Sequence, residues 1–512
     1  MGRALQSDLP VEEIDAIKDG SLYSEDLAPV PSNARKWGTK DIAFLWVGMS
    51  VCIPTYMLAS SLISDGMNWW QAILTVALGN LIVLAPMILN GHAGTKYGIT
   101  FPVFARAAFG LRGTHIASVL RAIVGCGWFG IQSWIGGTAI YAIACIALPS
   151  IIDLPVIGFF SNELIQVNVG QFVCILLFWA LNIGLFWKGM ESIRFVENLG
   201  APLLILLGLA LLAWAYVKAD GFGPMLSQPD QFETMAEFRA VFLPGLTAMV
   251  GFWATLSLNI PDFTREAKSQ KDQMLGQLIG LNATMPLYAF IGVAVTSATF
   301  VIFGETIWDP VQLLARFENP FLVTISMLAL ALATLTTNLA ANLVAPSTAF
   351  SNFIPKHISL RVGGLITGSI GIAVMPWKLI ADPSGYIFTW LIGYSALLGP
   401  IGGILICDYY IINRTRYDLA ALYKTGGIYN YTNGYNPIAL FALILGILPN
   451  IPGFLVQLKL VSPQYVAPFI LNLYSYAWFV GFILSGLSYL VLMWLIPATT
   501  QTTSTVKTGG AP

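Results

Sequence analysis

The sequence predicts an all-α polytopic membrane protein, on the basis of two observations. Hydrophobic residues make up 56% of the 512 positions and charged residues only 10%, whereas soluble domains carry about 25% charged residues. Apolar windows of about 20 residues, the length of helix that crosses a bilayer, recur along nearly the whole chain. We therefore expect one membrane domain of twelve transmembrane helices over residues 41–497, surrounded by lipid and joined by short loops.

The twelve windows follow one another in order, and a polar tail precedes and follows them. Residues 1–40 mix charges of both signs and lack the apolar core of a signal peptide, and residues 498–512 are rich in Ser and Thr. Both are expected to be cytoplasmic tails. The predicted spans are 42–64, 69–89, 116–148, 169–187, 199–217, 242–261, 275–303, 321–345, 362–377, 387–410, 438–456 and 471–495.

Lysine and arginine are distributed unevenly between the two sides of this arrangement. With the N-terminus inside, nineteen of the 25 basic residues fall in cytoplasmic segments, five fall outside, and Arg121 lies within the third span. Cytoplasmic loops of membrane proteins carry the excess of Lys and Arg. The distribution predicts that both termini are cytoplasmic, and the plasma membrane of a bacterium is the expected location.

Several function classes lack the residues that they need. The net charge is −1, and no basic patch stands out from the loops, so no nucleic-acid partner is expected. The five cysteines have no paired spacing, which indicates reduced thiols. The sequence contains no P-loop, no HExxH and no GxSxG motif, so neither ATP-driven pumping nor hydrolysis is predicted. We expect neither an enzyme nor an organic cofactor.

The third span contains the most informative stretch, residues 125–134 (GCGWFGIQSW). In a helix, Trp128 and Gln132 share one face, so a flat aromatic surface lies one turn from an amide. That pair suits a small planar heterocycle. The alternative is that the tryptophans anchor the helix at the headgroups and the glycines allow close packing. Trp128 and Gln132 lie well inside the apolar run, however, where an amide without a partner is costly.

Two spans contain residues that interrupt helices. The first span has Gly48 and Pro54, and the sixth has Pro244, Gly245 and Gly251. Because the two spans are five helices apart, two five-helix halves would have opposite topology, and broken helices at matching positions of inverted repeats mark the central site of a carrier. The alternative is that Gly and Pro merely kink these helices.

The eighth span holds the densest polar cluster of the membrane interior, namely Thr334, Thr336, Thr337, Asn338 and Asn342. Hydroxyl oxygens beside free carbonyls replace the hydration shell of a monovalent cation. Asn342 offers both a donor and an acceptor. The alternative is that the threonines bond to their own helix and the asparagines join helices together.

Strong charges within the spans are scarce. Asp262 lies near the cytoplasmic end of the sixth span and Arg121 near that of the third. We interpret both as gate or packing charges rather than substrate ligands.

Five motifs in order along the chain resemble those of the nucleobase:cation symporter-1 family. They are residues 25–29 (EDLAP), 90–98 (NGHAGTKYG), 128–134 (WFGIQSW), 259–265 (NIPDFTR) and 340–346 (AANLVAP). The resemblance covers about residues 24–497 and is greatest to the allantoin, hydantoin and uracil branch. It implies twelve helices, of which the first ten form the inverted five-helix repeat of LeuT-like sodium-coupled carriers and two follow at the C-terminal end.

The resemblance also implies roles for named residues. Trp128 and Trp253 would stack on both faces of the substrate ring, while Gln132 and Asn342 would hydrogen-bond its amide edges. Cys52 and Phe252 are expected to line the same substrate site. This chain departs from some relatives at the break of the first span, because residues 50–52 (SVC) supply no amide there.

The cation site implied by the resemblance consists of backbone carbonyls and hydroxyls. The carbonyls belong to Gly48, Val51 and Ala333, and the hydroxyls to Thr336 and Thr337. Oxygen ligands without a titratable group suit a sodium ion better than a proton, which needs a group that titrates near ambient pH. Sodium is therefore the favoured coupling ion, with a proton as the alternative.

The predicted function is uptake of a nucleobase-like or hydantoin-like ring together with a cation, by alternating access in a secondary symporter. The runner-up interpretations are a proton-coupled cytosine or purine permease and a sensor that binds its ligand without moving it. A channel is disfavoured because no filter sequence or pore-lining ring is present. A membrane enzyme is disfavoured because the interior lacks a nucleophile, base and metal constellation.

Overall fold

The computed structural model describes residues 17–18, 22–23, 27–158, 166–353 and 357–496. The predicted C-terminal tail, much of the predicted N-terminal tail, and Glu25 and Asp26 of the first motif lie outside these residues. The described chain is built from helices, together with one antiparallel pair of short strands in which Gly158 is paired with Gln166.

The helices have the length and composition of a multi-pass membrane protein. Within the described part of the chain, nine helices are long and apolar enough to cross a membrane, and a tenth span arises if the bent pair Thr39–Ser50 and Ile53–Ser64 counts as one. Two shorter apolar helices, Pro202–Lys218 and Leu360–Ala373, lie where the fifth and ninth spans are predicted. The helical membrane fold is thus confirmed, with nine or ten spans rather than a demonstrated twelve.

The elements follow the predicted order. The first half contains α1 Thr39–Ser50, α2 Ile53–Ser64, α3 Trp69–Tyr97, α4 Phe101–Phe109, α5 Thr114–Ala147, β1 Val156–Gly158, β2 Gln166–Asn168, α6 Val169–Lys188, α7 Met190–Lys218 and α8 Phe222–Leu226. The second half contains α9 Met235–Phe252, α10 Ala254–Asn259, α11 Pro261–Thr264, α12 Gln270–Phe303, α13 Pro310–Ala315, α14 Pro320–Thr337, α15 Val344–Phe353, α16 Leu360–Ala373, α17 Pro376–Leu379, α18 Gly393–Ile406, α19 Pro437–Ile447, α20 Ile451–Gln457, α21 Pro468–Tyr474 and α22 Ala477–Leu495. π-Helical segments occupy Asn338–Leu343, Gly385–Ile392 and Cys407–Ile412.

The long helices pack in two groups that meet at the centre of the protein. In the first group, α12 packs against α1, α2 and α3, and α9 packs against α3. In the second group, α5 packs against α6, α14, α15 and α16. Large apolar side chains such as Phe44, Leu177 and Leu328 are exposed on the outside, as expected for helices that face lipid. Polar side chains such as Gln132, Asn338 and Asn342 are nevertheless buried in the interior.

The predicted interruption of the first span is confirmed. Between α1 and α2 the chain bends by 61°, and Cys52 is extended at the start of α2, with φ −148° and ψ 157°. Pro54 is in the first turn of α2, where the missing N–H of proline leaves no helical hydrogen bond unmade. The break therefore exposes backbone groups in the middle of the protein.

The predicted interruption of the sixth span is present, at the end of the stretch that predicts it. α9 continues through Pro244 and Gly245 and ends at Phe252, and the chain leaves the helix at Trp253 before α10 begins. Proline within a membrane helix is tolerated where neighbouring groups satisfy the freed backbone. Of the three residues named for the interruption, Pro244 and Gly245 lie within the helix, whereas Gly251 comes two residues before the break.

Two glycines of the sixth span also allow close packing. A Cβ on Gly245 would lie 2.9 Å from Leu62 of α2, and a Cβ on Gly251 would lie 2.9 Å from the carbonyl oxygen of Leu391. Both distances are shorter than ordinary van der Waals contact. Small residues let membrane helices approach closely, and both glycines have this role.

Candidate substrate cavity

A cavity lies where the two helix groups meet. Its wall includes the break between α1 and α2, the middle of α5, the break at the end of α9 and the π-helical segment after α14. All six residues predicted for the substrate site line it: Cys52, Trp128, Gln132, Phe252, Trp253 and Asn342. Thr337 of the predicted cation set lines it as well.

Trp128 is fixed in the cavity wall by a group of aromatic side chains. Its ring centroid lies 5.2 Å from that of Phe252, 5.6 Å from that of Trp390 and 6.1 Å from that of Tyr394, each with edge-to-face geometry. Such pairs add about 0.5–1.5 kcal/mol beyond burial. Gly127 makes room for this arrangement, because a Cβ there would overlap the ring of Trp390. The indole therefore presents one defined surface to the cavity.

Trp253 is positioned by a hydrogen bond and a ring contact with a different set of residues. Its Nε1–H donates to Asn80 Oδ1 at 3.1 Å, and its ring packs edge-to-face against Trp46 at 5.1 Å. Phe252 contacts both indoles edge-on, at 5.2 Å from Trp128 and 4.9 Å from Trp253. The structure thus brings both predicted stacking residues to one cavity, with a third ring touching each of them.

Gln132 lies one helical turn from Trp128 and is only 4% exposed. Among the described residues, no group makes a hydrogen bond to its side-chain amide. A buried amide without a partner costs about 1–3 kcal/mol, so this group has hydrogen-bonding capacity for a ligand that enters the cavity.

Asn342 is positioned by a second asparagine. Its Nδ2 donates to Asn338 Oδ1 at 3.2 Å, and Asn338 in turn donates to the Phe129 carbonyl and to Ser133 Oγ, both at 3.3 Å. Asn338 therefore joins Asn342 to α5, the helix that carries Trp128. One N–H of the Asn342 amide is engaged, so its second N–H and its carbonyl oxygen remain for a ligand.

The local conformation of this segment is not evident from the sequence. Residues Asn338–Leu343 form a π-helix between α14 and α15, and π-helical turns within α-helices frequently occur at functional sites. The sequence pattern identified the polar cluster but assigned Asn338 no role. Two asparagines four residues apart were the available signal, because side chains at this spacing meet on a helix.

Among the predicted cation ligands, the two carbonyls of the first span lack their helical hydrogen bonds, while the two hydroxyls are hydrogen-bonded. The Cys52 amide, which would donate to the Gly48 carbonyl in an unbroken helix, donates to Ser50 O at 3.2 Å. Likewise, the Thr55 amide donates to Cys52 O at 3.1 Å rather than to the Val51 carbonyl. Both predicted carbonyls of the first span thus lose their usual donors.

The two hydroxyls at the end of α14 donate to one carbonyl. Thr336 Oγ1 lies 2.7 Å and Thr337 Oγ1 3.2 Å from the Ala333 oxygen, which is the helix back-bonding that the sequence left open as the alternative. Each hydroxyl oxygen keeps lone pairs for a cation. No group of three or more His, Cys, Asp or Glu among the described residues forms a metal cluster, so any cation here would meet neutral oxygens.

Several cavity residues were missed by sequence analysis, and one of them is charged. Arg121, interpreted as a gate or packing residue, lines the cavity two turns before Trp128 on α5. Asp262 does not line it, because its Oδ1 accepts from the Phe101 amide at 2.7 Å and its Oδ2 from Asn259 at 3.3 Å. The lining residues not predicted are Met49, Pro54, Arg121, Thr255, Leu256 and Ala341.

The carboxyl group of Asp65, just beyond the first span, has a raised pKa. Asp65 follows the last residue of α2, and burial together with the nearby charge of Asp382 raises its pKa to about 6. Burial disfavours the charged form of a carboxyl, and a second carboxylate disfavours it further. This end of the broken span is therefore sensitive to pH in the mildly acidic range.

Comparison with known proteins agrees with this geometry. A family described as permeases for cytosine/purines, uracil, thiamine and allantoin matches residues 29–481. The chain is 45% identical to a purine-uracil permease of Arabidopsis thaliana, over 93% of this chain and 78% of the relative, and 38% identical to an allantoin permease of Bacillus subtilis, over 95% and 96%. The solved inward-facing conformation of the transporter Mhp1 superposes with a TM-score of 0.74 at 25% identity, covering 93% of this chain and 94% of that one. The chain therefore belongs to the nucleobase:cation symporter-1 family of membrane permeases.

Proposed function

We propose that the protein is a secondary active symporter that imports a ring of the uracil, allantoin or hydantoin class together with a cation, by alternating access. The observation that carries the proposal is the single cavity in which two buried indoles and two buried amides meet. Aromatic surfaces bind the faces of a planar ring, and amides bind its edge. The relatives named as purine-uracil and allantoin permeases support this substrate class.

In this proposal the ring lies between Trp128 and Trp253 while Gln132 and Asn342 bond its amide edge. Gln132 supplies unused hydrogen-bonding capacity, and Asn342 supplies an acceptor for a ring N–H. Cys52 contributes a small thiol where some relatives have an amide. A ring that needs a further hydrogen bond at this position is therefore disfavoured, because a site built for specific bonds rejects ligands that leave groups unpaired.

The proposed architecture has twelve spans and an inverted five-helix repeat, followed by two C-terminal helices. The bent pair and the two shorter apolar helices bring the count from nine to twelve. Two interruptions, at Val51–Cys52 and at Trp253, belong to spans five apart and both border the cavity, which is the arrangement expected for inverted-repeat carriers. The packing of α9 and α12 with α1, α2 and α3 in one group is consistent with it.

Sodium is the proposed coupling ion. The Gly48 and Val51 carbonyls are released from helical bonding, and Thr337 borders the same cavity. Neutral oxygens of this kind bind a dehydrated monovalent cation, whereas proton coupling needs a titratable group. The proposed site is completed by the Ala333 carbonyl and the Thr336 hydroxyl.

Residues 41–497 form the proposed transporter domain, with cytoplasmic tails at 1–40 and 498–512 and the plasma membrane of a bacterium as its location. The excess of basic residues on one side supports this orientation. The competing candidates are a proton-coupled cytosine or purine permease and a non-transporting sensor.

Transport by the purified full-length protein in proteoliposomes tests the proposal. Uracil, allantoin, hydantoin, cytosine and a purine are supplied outside, first with a sodium gradient and then with sodium replaced by choline at fixed pH. Sodium-dependent accumulation of one of the first three is expected, and Asn342→Ala should lose most of it. Binding without accumulation would indicate a sensor. Full uptake in choline that collapses with the pH gradient would overturn sodium coupling.

A further inference from the structure

Arg121 is a charged residue inside the cavity that the proposed transport cycle does not use. It is 5% exposed, and its Nε has no hydrogen-bond partner. Among the described residues, no group forms a hydrogen bond or an ion pair with its guanidinium. A buried charge without a partner costs several kcal/mol, so such groups in membrane proteins face a cavity and pair with something.

The nearest candidate partner within the protein is already occupied. Both carboxylate oxygens of Asp262 accept hydrogen bonds from other groups, one of them the Phe101 amide at the start of α4. Asp262 thus caps a neighbouring helix and is not in direct contact with Arg121, although its negative charge acts on the guanidinium from a distance. The remaining described residues that line the cavity include no second charged side chain.

The charge balance of the cavity indicates what would complete it. Arg121 brings one positive charge to the cavity wall, and a cation bound near Thr337 would add a second. The carboxylate of Asp262 acts on Arg121 from outside the cavity lining and would offset only one of the two. A neutral ring carbonyl could accept a hydrogen bond from the guanidinium but would leave one of the two positive charges uncompensated when a cation is bound. A small anion would satisfy both the donors and the charge.

The position of Arg121 separates this group from the ring. Arg121 precedes Trp128 by seven residues on α5, which is about 10 Å along a helix axis, and helical side chains lean toward the N-terminus. An anion at the guanidinium would therefore occupy its own part of the cavity while a ring is stacked on Trp128.

We propose that Arg121 forms an anion subsite of the cavity, which takes a small monovalent anion. The anion is either a free halide or a carboxylate carried by a ring-containing cargo. The inference concerns the cavity of the proposed transporter, but anion binding can be measured without transport.

Thermal unfolding of the detergent-purified full-length protein, without any ring present, tests whether the anion is a free halide. Sodium chloride is titrated against sodium gluconate at constant sodium and pH. We expect chloride to raise the melting temperature in a saturable way, and Arg121→Gln to weaken the apparent chloride affinity roughly tenfold or more. Arg121→Lys should retain part of the effect because it keeps the charge.

A matched control is available in a second buried arginine. Arg106 on α4 is also 5% exposed, but it lies outside the cavity and donates to the Leu422 carbonyl at 2.9 Å. Arg106→Gln should therefore destabilise the protein without changing the chloride response. An equal chloride response in wild type and Arg121→Gln would show that Arg121 does not bind a free halide.

Binding of uracil and of its ring carboxylate, orotate, in chloride-free buffer tests whether the anion is part of the cargo. Tighter binding of orotate in wild type, lost in Arg121→Gln, would place the anion on the cargo. If neither chloride nor orotate distinguishes the variant from wild type, the inference is wrong. Failure of the proposed transport function would appear separately, as wild-type protein that accumulates no ring in either salt.

Discussion

Replacing Asn338 by alanine should weaken ring binding although its side chain does not line the cavity. Asn338 accepts a hydrogen bond from Asn342 and donates two to α5, at Phe129 O and Ser133 Oγ. The substitution would remove all three bonds and leave the Asn342 amide free to rotate. Asn338 is thus a positioning residue for Asn342.

The magnitude follows from the length of these bonds. At 3.2–3.3 Å they are at the long end of the usual range, so each is assigned about 0.5–1 kcal/mol. The loss of all three should lower the free energy of unfolding by about 1.5–3 kcal/mol. Only the bond to Asn342 concerns the ligand, so ring affinity should fall by about 0.5–1 kcal/mol, roughly two- to fivefold.

A double-mutant cycle with Asn342→Ala separates positioning from a general loss of stability. Ring affinity is measured by calorimetry on wild type, both single variants and the double variant. If Asn338 acts through Asn342, the double variant should bind like Asn342→Ala alone. Ser133→Ala is the matched control, because it removes one bond of the network without touching Asn342, and it should leave affinity unchanged. Additive losses in the cycle, or wild-type affinity in Asn338→Ala, would refute the reasoning.

Three further outcomes are expected. Trp253→Ala should weaken ring binding by about 1–3 kcal/mol, tenfold or more, by analogy with bases stacked on aromatic side chains. Trp253→Phe should retain most of the binding affinity. Unchanged affinity in folded Trp253→Ala would exclude stacking. Thr337→Val should raise the half-saturating sodium concentration for uptake roughly tenfold, and an identical sodium dependence would remove this hydroxyl from the cation site. Because the folded pKa of Asp65 is raised from 3.8 to about 6, its contribution to the stability of wild type should be lost as pH rises from about 4 through 6. Asp65→Asn should therefore unfold at the same temperature as wild type near pH 4 but be about 2 kcal/mol more stable at pH 7. Parallel pH profiles of the two proteins would contradict the shift.

The sequence alone determined the features that depend on neighbouring residues. Apolar runs long enough to cross a bilayer predict where the helices lie, because bilayer thickness sets their length. The four-residue spacing of Trp128 and Gln132 places both on one helix face, and both line the cavity. The break of the first span is where residues 48–54 predict it, because the interruption depends on local backbone chemistry.

Only the tertiary structure decided the features that depend on contacts between distant segments. Within the stretch from Pro244 to Trp253 that predicts the sixth-span break, the helix ends just before Trp253. The Gly251 carbonyl beside this break accepts a hydrogen bond from the Tyr394 hydroxyl at 2.8 Å, 143 residues away along the chain. Gly245 appears in the sequence as a helix breaker, but its role is set by Leu62 on another helix. Arg121 shares the helix face of Trp128, but whether the cavity extends as far along α5 as Arg121 depends on how the two helix groups meet.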